Sequence, residues 1–459
     1  MSQQFKDQGG AATMDPSPLA RRLTSKLASY LNSEKKLIKR RLKAEKARKK
    51  EGRPHVVDYF HQVEDGYSHL ASQVLEQFAG RYDIELRCHI VRGPEGKNAP
   101  DAALLLKLSQ YDSALIADEY GLKFPIGSNP PSPEAVSQAN ALLANVPQAD
   151  LRGLMATVGD ALWSGDEAAL ATLADEHGCA SPENTEARLN AATALRAQLK
   201  HYSGAMFHYE GEWYWGVDRL HYLEARLAEL GADRQSDQPY ITQCPEVSVD
   251  GVHNASDLTL EFFPSLRSPY TSIVFDETVE FAEKAGVKLS MRPVLPMVMR
   301  GVPATREKGM YIFSDTAREA RRRGVAYGNM YDPIGNPVRR CYSLYPWAVS
   351  QGKGNELLSA FLKHAFALGV NTNNNRGLKR VVESAGLSWS EAKKHLGETE
   401  WEALLETNRL SMYEGGLWGV PSYRLIDAKG QTHLEIWGQD RLWLVAREIR
   451  RLHSAHSES

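Results

Sequence analysis

The chain has 459 residues, 42% of them hydrophobic and 24% charged, with 55 Lys and Arg against 57 Asp and Glu for a net charge of −2. This is room for two or three domains of ordinary soluble, globular composition. No apolar run approaches the ~18 residues of a membrane span, and the polar start has no apolar targeting core, so the expected location is the cytoplasm.

The first ~15 residues are expected to be disordered. From Glu34 to Arg53 the chain then holds 11 Lys or Arg and 3 Glu, a local net of +8, which leaves −10 for the remainder. Leu19, Leu23, Leu27, Tyr30, Leu31, Ile38 and Leu42 recur at helical spacing, so residues 17–50 read as one long, basic, amphipathic helix. Its apolar stripe can pack on the acidic body or on a partner, and its charge suits an anionic surface or nucleic acid.

A strand follows at Val56–Phe60, then a helix with Leu70, Val74, Leu75 and Phe78, and a second strand at Ile84–Val91. Helical text runs from about Asp101 to Leu199, interrupted at Asn129–Pro133. A hairpin, Ala205–Tyr209 and Glu212–Trp215, turns at Glu210-Gly211, and a helix follows Asp218. Residues 233–256 are a polar, Pro-containing link.

The same order then returns. Leu258–Phe263 is a strand. Ser268-Pro269 is a helix start, with a hydroxyl to cap free N–H groups and proline at the first helical position. Gly286 ends that helix, and Val287–Arg292 is the next strand. Helical segments fill Lys308–Met412, with a polar loop at Asn371–Asn375. Strands around Arg424–Ile426 and Leu434–Ile436 flank a turn at Lys429-Gly430, and a last helix runs from about Gln439 to Leu452. Trp215-Gly216-Val217-Asp218-Arg219-Leu220 and Trp437-Gly438-Gln439-Asp440-Arg441-Leu442 follow their opening aromatic pairs by roughly 155 and 175 residues, too wide for a solenoid and suggestive of a duplicated domain. Strands at both ends of a helical block imply a mixed sheet with a helical subdomain.

The four cysteines, Cys88, Cys179, Cys244 and Cys341, form no Cys-x-x-Cys, which argues against zinc and against a local dithiol. No His/Cys cluster has metal-ligand spacing, and no Gly-rich phosphate loop follows a strand.

Phe262-Phe263-Pro264-Ser265-Leu266-Arg267-Ser268-Pro269-Tyr270, Gly419-Val420-Pro421-Ser422 and the final Trp-Gly-Gln-Asp-Arg-Leu, in that order, resemble the DsbA-like branch of the thioredoxin superfamily that contains 2-hydroxychromene-2-carboxylate isomerase and the kappa-class glutathione transferases. The first half resembles it more faintly. The resemblance implies an α/β chain of two thioredoxin-like folds, each with an inserted helical subdomain, plus a basic N-terminal helix. Residues 1–52 would be the extension, 53–234 a degenerate domain and 257–451 the functional one.

It further implies glutathione as cofactor or co-substrate, a small electrophilic or aromatic-derived substrate, and isomerase or transferase activity. Ser268 stands where disulfide-exchanging relatives carry a cysteine, and would donate its hydroxyl to the glutathione thiolate at a helix N-terminus, beside Pro269. Val420-Pro421 matches the cis-proline loop, whose outward backbone would pair with the tripeptide. Gln439 and Asp440 would meet its glutamyl end.

Each has a plainer reading: Ser268 as an ordinary N-cap, Pro421 as a trans proline opening an edge strand, Asp440 as a cap paired with Arg441. Arg267 departs from the commonest family form and suggests a preference for an anionic substrate. In the first half Asp65 aligns with Ser268, and Gly204-Ala205-Met206 with Gly419-Val420-Pro421, so the serine and the proline are both missing. The alternatives are a thiol oxidoreductase working through Cys341, or a non-enzymatic scaffold that docks a partner. No metal and no transmembrane segment are expected, and a homodimer stays open.

Overall fold

A computed structural model describes residues 15–457 apart from 128, 253, 254 and 303, so the expectation for the extreme N-terminus falls almost wholly outside the described residues. The chain divides into two compact units, one of residues 39–245 and one formed by the described parts of 1–38 and 246–459.

The expected single N-terminal helix is two, α1 (Pro18–Asn32) and α2 (Glu34–Glu51). Ser33 separates them with extended backbone, φ −66° and ψ 141°. Its hydroxyl donates to the Tyr30 carbonyl at 2.8 Å and accepts from the Lys36 N–H at 3.3 Å, so one side chain stops the first helix and starts the second.

Of the placements open to the apolar stripe, the one on α1 faces outward. Leu19, Leu23, Leu27 and Tyr30 are 56–67% exposed. The inward face of α1 is polar: Arg21 and Ser25 are buried. Arg21 donates to the carbonyls of Asp332 and Ile334 at 2.6 and 2.7 Å. The Asp332 N–H donates to Ser25 Oγ at 2.9 Å, and the Met330 N–H to Ser29 Oγ at 3.0 Å. Spacing of four residues puts these three side chains on one face. On α2, Ile38 and Leu42 are likewise exposed. Arg41 there is tied to the buried Glu212 by two bonds of 2.8 Å.

In the unit 39–245 the order is β1 (His55–His61), α3 (Gly66–Ser72), α4 (Leu75–Arg81), β2 (Ile84–Ile90), α5 (Ala102–Ile116), α6 (Pro133–Asn145), α7 (Leu151–Ser164), α8 (Glu167–His177), α9 (Pro182–Gln198), β3 (Met206–Tyr209), β4 (Glu212–Trp215) and α10 (Gly216–Glu229). The other unit runs β5 (Leu258–Phe263), α11 (Pro269–Ala285), β6 (Lys288–Met291), α12 (Arg306–Arg323), α13 (Asn336–Ser343), α14 (Tyr345–Ser350), α15 (Gly354–Phe366), α16 (Asn375–Ser384), α17 (Trp389–Ala392), α18 (Glu400–Glu414), β7 (Ser422–Asp427), β8 (Thr432–Trp437) and α19 (Leu442–Ser457).

The sheets have corresponding orders, β2-β1-β3-β4 and β6-β5-β7-β8. In each, the first strand pairs parallel with the second and antiparallel with the third, and a hairpin supplies the fourth. A parallel pair needs a crossover, which α3–α4 and α11 provide. The central strands β1 and β5 are covered on both faces, so their apolar residues run nearly unbroken: Val57, Tyr59 and Phe60 in one, Leu258, Leu260, Phe262 and Phe263 in the other, all buried. The one carboxylate buried within β5, Glu261, is held by Arg292 and Arg424.

Smaller matches between the units follow. The Gln62 N–H donates to Ser68 Oγ at 3.2 Å, as the Ser265 N–H does to Thr271 Oγ1 at 3.4 Å. Tyr67 donates to Asp112 at 2.8 Å and Tyr270 to Asp315 at 2.9 Å, each pair 45 residues apart.

Candidate active site at the start of the helix after β5

The site is built where β5 hands over to α11. Ser268 is the N-cap of that helix and Pro269 its first residue. The Ser268 hydroxyl accepts from the Thr271 N–H at 3.1 Å and donates to the Val420 carbonyl at 3.3 Å. The loop before it is pinned by Tyr342, which accepts from the Leu266 N–H and donates to the Val294 carbonyl, both at 3.2 Å. Arg267 forms a two-pronged pair with Asp332 at 3.0 and 3.1 Å. The cation read as a guide for anionic substrates is therefore already paired. Burial works against the Asp332 charge, yet Arg267, the Ile334 N–H and Arg21 hold its carboxyl below the usual range.

Opposite lies the loop into β7. The Val420–Pro421 peptide bond is cis. Among the described residues the Val420 N–H has no protein acceptor. Two glycines let this loop meet the Trp-Gly motif. A Cβ on Gly419 would lie 2.3 Å from the Trp437 ring. Gly438, at φ 135°, donates its N–H to the Pro421 carbonyl at 3.0 Å. The two motifs, far apart in sequence, are thus parts of one support.

Gln439 and Asp440 sit in the turn before α19, which starts at Leu442 rather than near Gln439. Gln439 is buried. Its amide oxygen accepts from Arg323 at 2.9 Å and its nitrogen donates to Glu319 at 3.2 Å, so its side chain is committed to α12. Asp440 remains partly exposed and lies 3.5 Å from Arg441.

Sequence reasoning missed Lys308. It is half-buried in the first turn of α12, with Nζ 5.3 Å from the centroid of Trp418, two residues before Val420. Burial drives its pKa down to about 8. A lone lysine on a helix carries no signal of this; its surroundings come from a tryptophan 110 residues later.

Strand register corrects one correspondence. Phe60 pairs with Met206 and Met206 with Trp215, whereas Phe263 pairs with Ser422 and Ser422 with Trp437. Met206 therefore corresponds to Ser422, and the residue in the place of Pro421 is Ala205. The Gly216 N–H donates to the Ala205 carbonyl at 2.7 Å, as Gly438 does to Pro421. Aligning the hairpins by their glycines put this one residue off. Asp65 does take the place of Ser268: it caps α3, accepts from the Ser68 N–H and hydroxyl and from Ser109 Oγ, and burial raises its pKa.

Cys88 and Cys341 are buried thiols outside any disulfide. Burial pushes the Cys88 thiol up to about 12 and the Cys341 thiol up as well, the reverse of a reactive thiolate. Among the described residues no three His, Cys, Asp or Glu gather as a metal site, and no helix is long and apolar enough to cross a membrane.

A parallel strand pair, an antiparallel hairpin, an interposed helical block and a helix start facing a cis-proline loop define a thioredoxin-type unit. Residues 259–450 match the family model of the DSBA-like thioredoxin domain, and this part of the chain is a domain of that kind. Solved structures similar to the chain include a 2-hydroxychromene-2-carboxylate isomerase (16% identity, 44% of this chain and 98% of that one, TM-score 0.36). Others are a probable DsbA oxidoreductase from Streptomyces coelicolor (16%, 42% and 89%, 0.33) and the cytosolic disulfide reductase DsbM from Pseudomonas aeruginosa (14%, 44% and 100%, 0.35), the latter also solved with GSH. No curated protein matches the sequence.

Proposed function

We propose that residues 257–451 form a glutathione-dependent isomerase or transferase of the 2-hydroxychromene-2-carboxylate isomerase and kappa-transferase type, acting on a small electrophilic or aromatic-derived substrate. The observation that carries this reading is the Ser268 hydroxyl: it caps α11 and reaches the Val420 carbonyl, in the place where a disulfide-exchanging relative has its cysteine.

The groups present fit an extended, anionic thiol. Bound glutathione supplies the nucleophilic sulfur. Ser268 turns its hydroxyl from the Val420 carbonyl toward that sulfur, and the helix N-terminus favours the negative form. The Val420 N–H pairs with the ligand backbone, and Pro269 and Pro421 shape the two walls. Lys308 offers a cation to a ligand carboxylate, while Asp440 receives the α-amino group. Gln439 acts through Arg323 and Glu319, holding the turn that presents Asp440.

In this reading the chain is a tandem duplication, and residues 53–234 are the degenerate copy. A carboxylate at Asp65 would repel a thiolate, and Ala205 replaces the proline. Cytoplasmic glutathione, kept reduced, suits the buried thiols of Cys88 and Cys341. The oxidoreductase alternative through Cys341 is disfavoured by that thiol's burial.

Calorimetry with glutathione and with S-methylglutathione tests the proposal. Binding of both, lost together in a Val420-Pro421 loop variant, is the expected result; binding of neither removes it.

A further inference from the structure

Arg267, beside Ser268, does not meet Asp332 by chance of rotamer; the whole 330–334 segment is held from behind. Arg21, 1% exposed, donates to the carbonyls of Asp332 and Ile334. Ser25 receives the Asp332 N–H and Ser29 the Met330 N–H. The Ile334 N–H turns back onto Asp332 Oδ1 at 3.0 Å, the same oxygen that Arg267 Nε reaches. An unbroken run of hydrogen bonds thus leads from the polar face of α1, through one carboxylate, to the guanidinium next to the candidate sulfur-binding hydroxyl.

We propose that α1 is a specificity-determining strap of this site: by fixing the 330–334 loop it keeps Asp332 on Arg267, which masks a cation that would otherwise admit a negatively charged substrate group beside Ser268. With α1 seated, the site presents a neutralised pair at this edge and favours uncharged electrophiles. With α1 displaced, the loop loses five hydrogen bonds to Arg21, Ser25 and Ser29, Asp332 is no longer aimed, and the guanidinium is free for a carboxylate, which its planar fork suits. Arg21, Ser25 and Asp332 are positioning residues in this scheme, and Arg267 is the group they control. The ligand side of the scheme rests on the glutathione reading; the masking of Arg267 does not.

The test therefore uses one readout independent of glutathione. Full-length protein is treated with phenylglyoxal, and modification of Arg267 is followed by peptide mass mapping in wild type, Arg21→Ala, Asp332→Asn and, as a control on the outward face of the same helix, Leu23→Ala. Circular dichroism checks that each is folded. Arg21→Ala and Asp332→Asn should label Arg267 roughly three- to tenfold faster, and Leu23→Ala at the wild-type rate.

In calorimetry the preference for S-carboxymethylglutathione over S-methylglutathione should rise by a similar factor in Arg21→Ala and Asp332→Asn, and Arg267→Ala should cancel that rise in a double variant with Asp332→Asn. Unchanged labelling in Arg21→Ala overturns the role of α1, even if Asp332→Asn labels faster. Faster labelling with no binding of either derivative to any protein upholds the strap and overturns the glutathione reading. Binding of both derivatives with unchanged labelling and unchanged preference does the reverse.

Discussion

Ser268 Oγ lies 3.3 Å from the carbonyl oxygen of Val420, so the start of α11 and the loop into β7 share a hydrogen bond across 152 residues of sequence. The same oxygen accepts the Thr271 N–H. One hydroxyl therefore caps a helix and touches the cis-proline loop.

Replacing Ser268 with alanine should leave the fold intact while costing about 1 kcal/mol of stability through the lost cap. The pKa of bound glutathione thiol, followed by thiolate absorbance, should rise by about one to two units, the worth of one charge-assisted hydrogen bond of roughly 1.5–3 kcal/mol. An unchanged titration would take Ser268 out of the mechanism.

Asp440 and its counterpart Asp218 separate function from structure. Asp440→Ala should weaken glutathione binding by roughly 1–3 kcal/mol, because the α-amino group loses its charged partner. Asp218 accepts the Tyr120 hydroxyl at 2.8 Å, so Asp218→Ala should lower stability by about 1 kcal/mol and leave affinity alone. Paired calorimetry and urea unfolding decide it; equal losses of affinity would mean that both units bind.

Lys308 makes a pH prediction with a definite sign. Its pKa in the folded chain is about 8 against an ordinary 10.5, so between these values the unfolded chain binds the extra proton. The penalty of burying the ammonium is full below pH 8 and fades toward pH 10.5. Lys308→Met should thus stabilise the protein at neutral pH and lose that advantage in alkali. Binding of S-methylglutathione, which has no thiol to titrate, should fall more steeply between pH 7 and pH 10 in wild type than in Lys308→Met, where only the ligand's α-amino group titrates, the difference being roughly tenfold. Equal profiles in wild type and Lys308→Met would show that Lys308 meets no ligand carboxylate.

Gly419→Ala should be costly. The new Cβ would lie 2.3 Å from the Trp437 ring, inside van der Waals contact, and Trp437 is itself edge-on to Trp418 with centroids 5.9 Å apart. Relieving the clash should cost about 1–3 kcal/mol and be visible as a change in tryptophan fluorescence. An unaltered melting temperature and spectrum would refute the tight joint between the two motifs.

The parts legible in the sequence were those written in local chemistry. Ser268-Pro269 marks a helix start, Gly286 ends that helix in the left-handed region at φ 68°, and Gly211 and Gly430 turn the two hairpins. What was not legible depends on partners distant in sequence. The burial of Lys308 is invisible from α12 alone. Gln439 sits in a motif that suggested ligand contact, but Arg323 and Glu319 claim its amide. The identity of Ala205 with the place of Pro421 depends on strand register, which a glycine-to-glycine alignment does not fix. Hydrophobic periodicity found the leucine stripe of α1 but not the face that docks, because the helix is seated by Arg21, Ser25 and Ser29.

That polar seating sets the thermal character of α1. The heat capacity released when a segment comes off its support scales with the apolar area newly wetted. Leu19, Leu23 and Leu27 are more than half wet already, so undocking of α1 would add little to a calorimetric unfolding curve and would scarcely respond to cooling. It would register instead in amide exchange, where Met330 and Asp332 would lose protection well before the central strand β5, as a small opening that precedes and does not require global unfolding.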